Sequence, residues 1–203
     1  MPPTRRSFPA LATWLLILAA MIFVMIVLGG ATRLTGSGLS IMEWKPIMGA
    51  LPPLSDAQWQ DVFHKYQQIT QYKVQNQGMS LEAFKGIFWW EWGHRQLGRF
   101  IGLVYLGGFL VVAALRLLSW RQALVLFGMG LLLGLQGTIG WIMVASGLQP
   151  GMIAVAPVKL TLHLTFAALF FASVVAFATF LTPPRRAEPA PTARWTAPGT
   201  TAH

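Results

Sequence analysis

Phe88-Trp89-Trp90-Glu91-Trp92-Gly93-His94-Arg95-Gln96-Leu97-Gly98-Arg99-Phe100, running on without charge to Leu115, sets the architecture of the chain. The uncharged part alone, from Phe100 to Leu115, is short of the roughly 20 apolar residues that cross a bilayer. Reading the helix back to Phe88 supplies the length and brings Glu91, His94, Arg95 and Arg99 into or beside the membrane interface. Ionisable groups at that depth are costly and mark function or pairing. Glu91 and His94, three residues apart, share a helix face. Gly98, one turn deeper than His94, leaves room there for something flat.

Composition supplies the solvent. Of 203 residues, 55% are hydrophobic and only 10% charged, against about 25% charged in soluble domains. This is an integral, multi-pass membrane protein. The net charge of +9 comes from basic residues scattered at the ends of apolar runs, the membrane-flanking pattern, and does not indicate a nucleic-acid partner. With no cysteine there is neither disulfide nor thiolate metal site, and histidine is the remaining soft ligand.

Four spans follow in order, at about residues 8–31, 88–115, 122–146 and 158–181. The first is uncharged from Ser7 to Thr32 and is too long, with no clean small-residue cleavage site, for a signal peptide. Gly29-Gly30 and Thr35-Gly36-Ser37-Gly38 are expected to break it and open a polar loop over about 32–87. Within that loop Ser55, with Gln58 three residues on, reads as a helix start, so the loop is expected to be partly helical. The third span carries Gly130, Gly134, Gly137 and Gly140, a stripe suited to close packing. Residues 183–203 form a Pro/Ala-rich tail expected to be disordered. The fold class is an all-α four-transmembrane-helix bundle in residues 1–182. The short Arg116/Arg121 turn is basic and the loop from Ser146 to Val158 is uncharged, so the first is expected inside, the second outside, and both termini in the cytoplasm.

His94 and His163 then lie near the outer ends of two helices that run inward. Singly, each reads as a polar residue bonded across helices; together at matched depth in a four-helix bundle, they read as axial ligands of a heme. Ala167 below His163 is small, as Gly98 is below His94. Lys159, Arg95 and Arg99 are placed to meet propionates. His64 reads as a solvated loop residue, His203 belongs to the tail, and Trp89, Trp90 and Trp92 read as an interfacial belt. Gln136 and Trp141 read as helix-packing residues, Gln136 being notably polar for its depth. Glu91 stays open between a salt bridge to Arg95 or Arg99 and direct chemistry.

Several stretches, in order, resemble heme A synthases. They are Gly29-Gly30-Ala31-Thr32-Arg33-Leu34-Thr35-Gly36-Ser37-Gly38-Leu39-Ser40, Trp44-Lys45-Pro46, Gly49-Ala50-Leu51-Pro52-Pro53, Phe63-His64-Lys65-Tyr66-Gln67, Glu91 with His94-Arg95 and Gly98-Arg99, Leu135-Gln136-Gly137 through Gly140-Trp141 to Ser146-Gly147-Leu148, and Leu162-His163-Leu164. The resemblance implies oxidation of the C8 methyl of heme O to the formyl group of heme A, for cytochrome oxidases. It implies His94 and His163 flanking the heme and a catalytic Glu91; Arg95, Arg99 and Lys159 are cofactor-binding residues by their placement alone. It implies a bacterial-type plasma membrane, and heme O synthase and cytochrome oxidase assembly factors as partners besides membrane lipid. The pattern departs from the family in two ways. Members typically have two four-helix halves, the second holding a heme B, and this chain matches the first; a truncated product, a separate second-half subunit and a homodimer are the expectations that follow. The cysteine pair of some relatives is absent. The rival readings are a bis-histidine heme B electron-transfer protein, a non-catalytic heme-binding subunit, and an interaction subunit with structural histidines.

Overall fold

The computed structural model describes residues 9–182; the expected disordered tail lies outside them. The chain forms α1 (Pro9–Leu34), a short 3-10 turn at Met48–Ala50, α2 (Asp56–Gln67), α3 (Thr70–Gln75), α4 (Leu81–Ala114), α5 (Trp120–Gly147) and α6 (Pro157–Leu181). Helices α1, α4, α5 and α6 are each long and apolar enough to cross a membrane. The protein is an all-α, four-helix membrane bundle. Around it, α1 packs against α4 and α6, and α5 packs closely on α6 but touches α4 much less. Helices α4 and α6, which carry the two histidines, stand on a diagonal.

Two boundaries differ from the sequence expectation. Gly29-Gly30 do not break α1, which continues to Leu34, because Gly29 serves as a packing surface inside the helix. Helix α4 begins at Leu81, two turns before Phe88, where the Ser80 side chain accepts from the Ala83 N–H at 3.2 Å. Those two turns do not face lipid. Phe84 and Phe88 join Trp59, Phe63 and Tyr66 of α2 in a second buried cluster outside the main core.

The main core occupies the inner part of the bundle. Leu11, Leu15, Leu18 and Ile22 make an i, i+4, i+7, i+11 stripe on α1, packed with Ile101, Tyr105, Leu126, Met129, Phe170 and Val174. The Tyr105 hydroxyl donates to the Leu126 carbonyl, which fastens α4 to α5 near their short turn. Trp14 lies against Gly108 and donates to the Val104 carbonyl at 3.2 Å. The α5 glycines do not form one seam: Gly130 meets Tyr105 and Gly140 meets His163, while Gly134 and Gly137 have nothing within 4 Å of where a Cβ would stand.

The loop closes the end of the bundle where α1 stops and α4 starts. Ser55 caps α2 as expected, accepting from the Gln58 N–H at 3.3 Å, while the Gln58 side chain accepts from Leu54 N–H at 2.6 Å. Gln71 Nε2 donates to the Gly36 carbonyl at 3.1 Å, Gly151 N–H donates to Thr70 Oγ1 at 3.1 Å, and the Trp44 and Trp141 rings stand 6.0 Å apart. These contacts tie the loop to the ends of α1 and α5 and to the turn before α6.

Candidate functional site

Between the tight inner core and the loop lies a belt in which the helices bury nothing fully. Fully buried residues stop at Ile22 on α1 and resume at Thr32; on α4 the gap runs from Glu91 to Ile101, on α5 from Met129 to Ser146, and on α6 none precedes Phe170. At one depth in all four helices the side chains are therefore half-buried or exposed, in place of the close-packed core on either side of them. His94 and His163 are both in this belt.

Each imidazole rests on a glycine of the neighbouring helix. A Cβ at Gly29 of α1 would stand 2.9 Å from His94 Cε1 and 3.4 Å from its Nδ1; one at Gly140 of α5 would stand 2.8 Å from His163 Cε1 and 3.3 Å from its Nδ1. In both rings Nδ1 is buried without a hydrogen-bond partner. His163 is close enough to act electrostatically on His94. The two imidazoles thus stand on diagonal helices, each backed by a glycine that any larger residue would crowd, and imidazole is a side chain that can ligate heme iron. The Cε1 corner of each ring faces the glycine, with Nε2 a little farther than Nδ1 from that Cβ position, at 3.9 Å in His94 and 3.6 Å in His163. Gln136, one helical turn before Gly140, donates from Nε2 to the His163 carbonyl at 3.0 Å and lies 3.5 Å from His163 Nε2.

Glu91 sits one turn above His94, 3% exposed. Its carboxylate accepts from Arg95 Nε at 3.0 Å and Nη2 at 2.5 Å, from Ser40 Oγ at 2.7 Å and from Ile41 N–H at 2.8 Å. The ion pair is therefore with Arg95, and it also grips the loop. Arg95 donates further to the Glu43 and Ile41 carbonyls. Arg99 turns the same way, to the Pro46 carbonyl at 2.8 Å, the Lys45 carbonyl at 3.3 Å and Gln96 Oε1 at 2.9 Å. Both guanidinium groups thus hold the loop on α4. Lys159 is half-buried one turn before His163 and makes no ion pair among the described residues. The space expected at Gly98 is taken by the Met25 methyl, 3.0 Å from where a Cβ would be. His64 is exposed, as expected. On the loop surface, the hydrogen bond from Lys45 holds the Glu43 carboxyl below its ordinary range, with Lys65 adding to it; Lys65 is in turn pushed up, first by its bond to Asp61.

A family model described as cytochrome oxidase assembly protein matches residues 12–201. The chain belongs to this family. Curated relatives named heme A synthase include one from Methylorubrum extorquens strain PA1, 56% identical over 187 residues, covering 92% of this chain and 49% of that protein. One from Methylobacterium radiotolerans is 58% identical over 171 residues, 84% of this chain and 46% of that protein. One from Azorhizobium caulinodans is 53% identical over 182 residues, 90% of this chain and 52% of that protein. The chain spans about half the length of the curated relatives it matches. No solved structure matches it significantly.

Gly29 and Gly140 are the site residues that reading the sequence assigned elsewhere, to a helix break and to a packing stripe. A signal for them exists: Gly29 is followed by Thr35-Gly36, and Gly140 by Ser146-Gly147, at the same six- and seven-residue spacing. Each glycine stands on the helix immediately preceding a histidine-bearing one in its pair, α1 before α4 and α5 before α6.

Proposed function

We propose that the chain forms the substrate-binding half of a heme A synthase-like oxidoreductase, taking heme O and converting its C8 methyl to the formyl group of heme A for cytochrome oxidases. The observation that carries this reading is the pair of imidazoles at one end of the bundle, each backed by a glycine on a neighbouring helix. His94 and His163 would hold the iron through Nε2. The bound heme would supply the redox chemistry. The chain's own part is to orient the macrocycle edge-on to the outer mouth and to cover it with the loop.

Glu91 supports catalysis as a fixed negative charge. Arg95, the Ser40 hydroxyl and the Ile41 N–H hold its carboxylate in place, where a fixed carboxylate stabilises positive character developing near the mouth. Lys159, without an ion pair, is the cation best placed for a propionate, and Arg95 and Arg99 act through the loop. The proposed setting is a bacterial-type plasma membrane with both termini cytoplasmic. Heme O synthase would deliver the substrate and oxidase assembly factors would accept the product. A second heme-bearing unit, as a separate chain or a second copy, would relay the electrons.

The test is chromatography of hemes extracted from detergent-purified protein made in cells that produce heme O. The native chain should yield heme A or a hydroxylated heme O, and Glu91→Ala only heme O. If both hold only heme B with the same bis-histidine spectrum, the protein is an electron carrier and the oxidase reading is wrong.

A further inference from the structure

The two histidines are alike on one ring edge and unlike on the other. Nothing among the described residues bonds to His94 Nε2, whereas Gln136 Nε2 stands 3.5 Å from His163 Nε2. The amide cannot be turned over: its nitrogen is anchored 3.0 Å from the His163 carbonyl, and reversal would set two carbonyl oxygens face to face. A primary amide nitrogen carries two N–H groups and only donates. With one spent on the carbonyl, the other is directed at the ring, and His163 Nε2 must accept. The ring proton therefore belongs on Nδ1. At the other end of the amide, Gln136 Oε1 is buried without a partner, so the side chain is held by its donor end alone.

We propose that Gln136 is a positioning residue that fixes the tautomer of His163 and competes with iron for its Nε2, so that the axial pair is unequal: His94 is the permanent ligand and His163 the exchangeable one. The competition rests on the heme reading above; the tautomer does not. In the heme-free protein Gln136 keeps the Nε2 of His163 in its unprotonated, accepting form. On ligation it yields that nitrogen while keeping its bond to the His163 carbonyl. When an external ligand enters on the His163 side, the amide recaptures the released ring and favours exchange there.

Two measurements test this. In the heme-free chain with 15N-labelled histidine, His163 should resonate as the Nδ1–H tautomer with a hydrogen-bonded Nε2; a proton on Nε2 overturns the proposal whether or not heme binds. In heme-loaded, reduced protein, carbon monoxide should bind roughly fivefold more weakly to Gln136→Met than to the native chain, as loss of one net hydrogen bond requires. Equal or tighter binding, with the bis-histidine spectrum intact, overturns the role of Gln136 and leaves the heme reading standing. A native chain that takes up no heme overturns the heme reading and the competition with it.

Discussion

A methyl group at position 29 or 140 would stand within 3 Å of an imidazole carbon, closer than carbon atoms pack. The ring must then shift or turn, at about 1–3 kcal/mol for overpacking of this kind. The backbone itself tolerates alanine, which favours helix over glycine by about 1 kcal/mol. Gly29→Ala and Gly140→Ala are therefore expected to insert and fold, yet to lose the six-coordinate bis-histidine spectrum when loaded with heme. Gly30→Ala, where nothing lies within 4 Å, should keep it. Glu91 obeys a different rule. A buried carboxylate whose only cation is removed costs about 3–5 kcal/mol, so Arg95→Met should lower thermal stability more than Arg99→Met, whose partners are carbonyls and an amide. Equal losses in melting experiments on the two purified variants would mean that Glu91 finds another partner.

At the level of helices, the spans were readable because hydrophobic length and flanking charge are properties of a single segment. The placing of His94 and His163 at one end of the bundle was readable for the same reason, and so was the Ser55 cap. What sequence reading missed lies between segments. That Gly98 receives Met25, and that Gly29 and Gly140 receive the histidines, depends on which helix faces which. A glycine reads the same in a break as in a socket. The start of α4 is a second case: by sequence Phe84 falls in the loop before the span, but Trp59, Phe63 and Tyr66 lie well upstream and only folding makes them its neighbours in one buried cluster. This gives a prediction for the element. Phe84 is fully buried, and truncating such a ring costs about 3–5 kcal/mol. Phe84→Ala should loosen α2 and the first turns of α4, seen as faster hydrogen exchange there, while exchange around Leu15, Tyr105 and Phe170 stays slow. Uniform acceleration across both clusters would show that loop and bundle unfold as one unit.

For the whole molecule, the belt, the loop and the charges together constrain which end meets which compartment. The loop, the glycine-backed histidines and Glu91 share one end of the bundle; the short turn with Arg116 and Arg121 is at the other. Basic residues in short loops stay cytoplasmic, which points the histidine end outward. The chain has no cysteine, so one introduced thiol reports a single position. Leu54 in the loop is 74% exposed and Leu117 in the turn 38% exposed, and neither lies in either core. In intact cells a membrane-impermeant maleimide should label Leu54→Cys and spare Leu117→Cys, and after permeabilisation it should label both. The opposite pattern would place the candidate site on the cytoplasmic side and reverse the proposed orientation. The distinction bears on the chemistry, because the loop covers the histidine end, where Glu91 and Arg95 bond it to α4.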